Sequence, residues 1–184
     1  MQSLSTKIGL GLLGGLAGLV AMELIKRATA PLAKRAPERT DDSLTGRSMS
    51  PLGPQHQPNE SPTDAVGRIG YEKLAGDAPS RATKSKLSWA VHVGYGLLVA
   101  GLYNAIRGGR SRPLLRTIGE GAAYGAGLWL LGDELAVPLL GLSDKPSTQP
   151  RAKHLQSLAQ HLGFGVATAA TANALTNHRR HWWS

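Results

Sequence analysis

An apolar stretch, IGLGLLGGLAGLVAMELI from Ile8 to Ile25, is bounded by Lys7 on one side and by Lys26 and Arg27 on the other. As a helix it is close to the ~30 Å hydrocarbon thickness of a bilayer. Three further blocks of similar length follow: Trp89–Ile106, a third from Ile118 to Leu139, and Leu155–Leu175. In lipid every backbone N–H and C=O must be satisfied within the segment, which leaves the helix as the form such blocks take. The chain therefore reads as all-α, an integral membrane four-helix protein.

The mean hydropathy of −0.17 does not contradict this, because it averages the apolar blocks with one long polar stretch. The net charge of +9 invites a nucleic-acid reading, yet the basic residues cluster beside the apolar blocks. Lys26 and Arg27 follow the first, Arg107, Arg110, Arg112 and Arg116 the second, and Arg179 and Arg180 the last. That placement suits anionic headgroups, so the partner expected is a lipid bilayer and not a nucleic acid. With no Cys there is no disulfide framework and no thiolate metal site.

The expected organisation is a transmembrane helix over 1–27, then a polar connection over 28–87 with a short helix near 62–76. Transmembrane helices follow over 88–107, 117–142 (ending in a turn that contains Pro138) and 154–176, and a basic aromatic tail over 177–184 closes the chain. Ser61-Pro62-Thr63-Asp64 has the form of a helix start, a capping residue followed by Pro at the first helical position. The remainder of the connection, rich in Pro, Ser and Arg, is expected to be mobile. Ala28-Thr29-Ala30 mimics a signal-peptidase site, but Glu23, Lys26 and Arg27 intrude before it and Pro31 follows it, so a retained helix fits better.

The blocks are soft, with Gly at four-residue spacing in Gly11/Gly15, Gly14/Gly18 and Gly121/Gly125. Such spacing lets helix backbones approach closely in lipid. In water each helix-interior Gly would cost about 1 kcal/mol against Ala. Gly94, Gly96, Gly163 and Gly165 join these as expected packing positions.

The second and fourth blocks resemble one another. His92-Val-Gly-Tyr-Gly96 aligns with His161-Leu-Gly-Phe-Gly165, and at the same offset Asn104-Ala105 matches Asn173-Ala174. The first and third match more loosely, Gly14 with Gly125 and Met22-Glu23-Leu24 with Asp133-Glu134-Leu135. The expected architecture is thus a helical hairpin occurring twice in parallel orientation, related by an axis along the membrane normal.

On that alignment Glu23, His92, Glu134 and His161 lie near one membrane face, and Asn104 and Asn173 near the other. Carboxylates and imidazoles side by side in low dielectric can exchange protons near neutral pH, which makes the four a candidate proton- or ion-handling site. Two His and two carboxylates also form a feasible metal set, and His92 with His161 a feasible haem pair. Against these stands a plain structural reading: Glu23 can pair with Arg27 one turn on, and Asp133-Glu134 can close the third crossing before Pro138. No hydrolase, phosphate-loop, zinc-protease or dinucleotide motif is present, so no catalytic residue is assigned and no cofactor is required.

The combination of Met22-Glu23-Leu24, the Ser61-Pro62-Thr63 helix start, H-x-G-[YF]-G and Asp133–Leu142 (DELAVPLLGL) resembles the YagU-type uncharacterised bacterial inner-membrane protein family. The resemblance covers most of the chain outside the polar 34–60 stretch. It implies a small polytopic protein of the bacterial inner (plasma) membrane, without catalytic residues to carry over. The expected role is structural or regulatory, through helix packing with further copies of itself or with other membrane proteins. Proton or ion handling is the alternative.

Overall fold

In a computed structural model the chain is described over residues 3–34 and 48–181, mostly helical and with no strand among them. The helices are α1 (Leu4–Lys34), α2 (Pro62–Ala75), α3 (Arg81–Arg107), α4 (Leu114–Leu128) and α5 (Arg151–His181). Two stretches, Leu4–Pro31 and Arg81–Arg107, are long and apolar enough to cross a membrane, with mean hydropathies of 2.0 and 1.2. The basic aromatic tail from Trp182 on lies outside the described residues.

The helices run well past their apolar blocks. α1 continues through Pro31, so Glu23 is not at its end, and α3 begins about three turns before His92. Beyond Leu128, α4 widens into a π-helical stretch, Trp129–Ala136, and regains α geometry over Val137–Leu139. Asp133 and Glu134 therefore lie within a continuing helix rather than closing it, and Pro138 sits buried in its last turn. The chain turns only after it, where Gly141 takes a φ of 73° that L side chains avoid.

Two compact units are formed. Described residues 3–34, 95–129 and 152–181 make the first, where α1, the second half of α3, α4 and α5 pack together. Glycine sets these contacts. A Cβ on Gly11 would lie 2.6 Å from the Ala100 carbonyl oxygen of α3, and one on Gly14 would lie 2.6 Å from the Thr168 carbonyl oxygen of α5. Gly15 faces Ala100 and the Gly96 carbonyl, and Gly18 faces Phe164 and Thr168. The two stripes of α1 thus serve two different neighbours. Gly121 and Gly125 of α4 both meet α5, which returns Gly165 to the pair, while Gly163 meets the flexible end of Ile25. Met22, Ala100 and Phe164 form the small apolar core, with Leu19, Val99, Tyr124 and Leu128 against it. Tyr103 and Tyr124 stack with centroids 4.3 Å apart, joining α3 to α4.

Gly94 is a correction to the expected packing set. It is exposed, with open space where a Cβ would be. Two residues along a helix turn roughly 200°, so Gly94 and Gly96 cannot share a face.

Described residues 48–94 and 130–151 form the second unit. Here Ser61 caps α2, accepting from the Asp64 amide at 3.2 Å while Asp64 takes the Ser61 amide in return. Gly67 of α2 fits against Leu87 of α3. The segment from Ser48 to Glu60, expected to be mobile, is instead held by specific bonds. The amides of Gln55 and His56 both donate to the Gly141 carbonyl, at 2.8 and 3.1 Å. Part of the polar stretch is therefore folded, because its polar groups find partners that its low hydrophobicity gave no sign of.

Candidate functional site

Glu23 and His161 belong to the first unit. Glu23, half exposed, takes the Arg27 Nε at 2.8 Å and lies 3.9 Å from Lys26, both on its own helix. Exposed pairs of this kind are worth about 0–1 kcal/mol. His161 donates its Nδ1–H to the Ser157 carbonyl one turn back at 2.9 Å, which fixes the tautomer. His92 and Glu134 belong to the second unit, His92 exposed and Glu134 half-buried. Among the described residues no three His, Asp or Glu side chains come together as a metal's ligand set.

The two Asn have matching tasks. Asn104 is buried and donates to the Lys7 carbonyl at the start of α1, at 2.6 Å. Asn173, also buried, clasps the backbone of Arg112 just ahead of α4, accepting from its amide at 3.0 Å and donating to its carbonyl at 3.1 Å. A side chain that holds both the N–H and the C=O of one residue fixes where the next helix starts.

Around Asn173 the structure assembles a cluster that sequence reasoning missed. Arg107, at the end of α3, has a side chain only 3% exposed. Its Nη2 donates to Thr117 Oγ1 at 3.1 Å and Asn173 Oδ1 at 3.2 Å, and its Nε to Glu120 at 3.3 Å. Arg112 and Arg116 donate to the other oxygen of the same carboxylate. Arg107 Nη1 has no hydrogen-bond partner among the described residues. From the sequence, all these Arg read as one basic flank facing anionic headgroups. Only Glu120, an isolated acid in the first turns of an apolar block, could have signalled the pairing.

Two further polar sites lie in the second unit. Buried His56 donates Nδ1–H to the Gly141 carbonyl at 2.9 Å and sets Nε2 3.4 Å from Asp144. The Glu60 side chain, 1% exposed, is gripped by Arg68 at 2.9 and 3.0 Å, by Lys84 at 2.6 Å and by the Gln57 amide at 2.7 Å. Burial alone would push its carboxyl up; the Arg68 and Lys84 bonds outweigh that and bring it down to about 2. A carboxyl depressed below its ordinary 4.5 contributes stability that is complete above about pH 4.5 and fades as pH falls toward 2. Glu60→Gln is therefore expected to lose about 3 kcal/mol at pH 7. Measured by denaturant melts across pH, its deficit against the parent should shrink steadily below pH 4.5; a constant deficit would contradict this origin.

The chain matches no known family model, no curated protein and no solved structure.

Proposed function

We propose that this chain is a polytopic membrane protein of four helices in two repeated parallel hairpins, working through helix packing and partners and not through a reaction of its own. The distribution of side-chain size carries the reading. In the first unit most buried positions are small or polar, among them Gly11, Gly14, Gly15, Gly18, Ala100, Asn104, Gly121, Gly125, Thr168 and Ala169, with Leu10, Met22 and Phe164 the large apolar exceptions. The large apolar side chains point outward, among them Leu13, Leu16, Val20 and Leu24 of α1 and Leu98, Leu102 and Ile106 of α3. Each Leu left in water forgoes roughly 1.5–3 kcal/mol, so such a surface suits hydrocarbon.

The repeat is supported by the contacts. Gly15 meets residues 96, 97 and 100, and Gly121 meets 165, 166 and 169, which is the His92-to-His161 offset at each position. Gly96 likewise meets Leu19 where Gly165 meets Gly125. The Asn104 and Asn173 clasps, on the Lys7 and Arg112 carbonyls, lie within one residue of the same correspondence. This register pairs Gly15 with Gly121, five residues away from the alignment that placed Glu23 opposite Glu134. The two acids then have no common depth imposed by the repeat, which removes one support from a shared acid–imidazole site. Placement in a bacterial inner membrane, and kinship with the YagU-type proteins, belong to the same proposal.

Proton or ion handling keeps one observation in its favour. The Tyr103 and Tyr124 hydroxyls and Thr168 Oγ1 are buried without hydrogen-bond partners among the described residues. Buried orphans of this kind attract water. The test is the full chain in proteoliposomes under an imposed pH gradient, after checking that it resists carbonate extraction. Expected are retention in the membrane and a lumen pH that decays at the protein-free rate. Decay accelerated by the protein and slowed by Glu23→Gln or His161→Gln would favour the alternative, and carbonate release would remove the membrane reading.

A further inference from the structure

We infer that the end of the first unit built from Arg107, Arg112, Arg116 and Glu120 binds the phosphate headgroup of an anionic lipid. The inference rests on the membrane reading above. Three guanidiniums converge on one carboxylate, which leaves two positive charges in excess. Exposed Arg110 adds a third from the connecting loop, where Gly108 and Gly109 take φ of 82° and 61° to turn the chain. Glu120 accepts from all three Arg, so it cannot also use up the donors that remain, and a guanidinium carries five N–H. Arg107 is nearly fully buried and holds the cluster from behind, while the Arg112 side chain is 21% and the Arg116 side chain 66% exposed, so their remaining N–H groups are the ones within reach of a headgroup. A phosphate monoanion supplies several acceptor oxygens and negative charge in one compact group, the complement that paired Arg side chains select.

The surroundings choose a lipid over a free phosphate. Ile106 is 78% exposed, Leu114 68% and Leu115 83%, and all three neighbour the Arg residues in sequence. Side chains this apolar beside fixed positive charge fit an acyl chain and its headgroup together. Asn173 sets the geometry by tying Arg112 and Arg107 to α5, so the charges are held in place before the ligand arrives.

The test uses the full chain purified in a neutral detergent and native mass spectrometry with added phosphatidylglycerol, phosphatidylcholine or inorganic phosphate. Retention of phosphatidylglycerol at least tenfold above phosphatidylcholine is expected, with millimolar phosphate failing to displace it. Arg116→Gln and Arg110→Gln, both at exposed positions, should each lower that preference severalfold, and Arg116→Lys should restore part of it. Circular dichroism of each variant should match the parent. Equal retention of the two lipids, or a preference untouched by both variants, overturns the proposal. Full displacement by inorganic phosphate also overturns it, in favour of a small-anion site. Flotation with phosphatidylcholine vesicles tests the membrane reading separately: a chain that floats but shows no lipid preference refutes only the headgroup site.

Discussion

Gly125→Ala is expected to cost the bundle about 3 kcal/mol or more, enough to deplete correctly folded protein. A Cβ there would overlap the His161 carbonyl group and come within 3.1 Å of the Leu162 Cα, all of it backbone of α5. Overpacking a core position commonly costs about 1–3 kcal/mol because side chains can shift. Backbone cannot shift without separating α4 from α5 along their length, so the cost belongs at or above that range. Gly127→Ala, on the same helix, is the control: nothing lies within 4 Å of its Cβ, and the change removes a helix-interior Gly. It should be neutral or stabilising by up to ~1 kcal/mol. Thermal unfolding in detergent and the monodisperse fraction on size exclusion would read both. Equal behaviour of the two variants would mean that α4 and α5 are not in this contact.

These glycines show what was legible in the sequence. Four-residue spacing marks a helix stripe that admits another backbone, so Gly11/Gly15, Gly14/Gly18 and Gly121/Gly125 could be read as contact positions directly. Which helix each stripe meets could not be read, because spacing fixes a face and not its neighbour. The H-x-G-[YF]-G match likewise marked positions whose contacts correspond, through Gly96 and Gly165. The looser match of Glu23 with Glu134 rests on letters alone and stands five residues off the register of the glycine contacts. Glu134 lies in the π-helical Trp129–Ala136, where residues per turn exceed the α value and counting along the chain no longer measures rise. His56 was illegible for a different reason. Its partner is the carbonyl of Gly141, and a backbone acceptor far along the chain leaves no trace in residue identity.

The Arg107–Glu120 cluster yields the second large effect. Glu120→Gln is expected to destabilise the chain by about 3–5 kcal/mol, far above the ~0–1 kcal/mol of an exposed ion pair. Two facts decide between these ranges. Arg107 is 3% exposed, so its charge cannot be rehydrated when its partner is neutralised. Arg112 and Arg116 share that partner, so its loss also leaves three like charges facing one another. Thr117 and Asn173 continue to hold Arg107 Nη2, but neutral acceptors do not cancel a buried charge. If the penalty comes from uncompensated charge and not from lost packing, Glu120→Gln combined with Arg107→Met should recover most of it, since an apolar chain of similar length removes the stranded guanidinium. Denaturant unfolding in detergent of the parent, the two single variants and the double variant closes this cycle. A double variant no better than Glu120→Gln alone would assign the loss to geometry, with Asn173 and Arg112 displaced from the start of α4. A Glu120→Gln variant within 1 kcal/mol of the parent would show the cluster to be solvated and its charges individually dispensable.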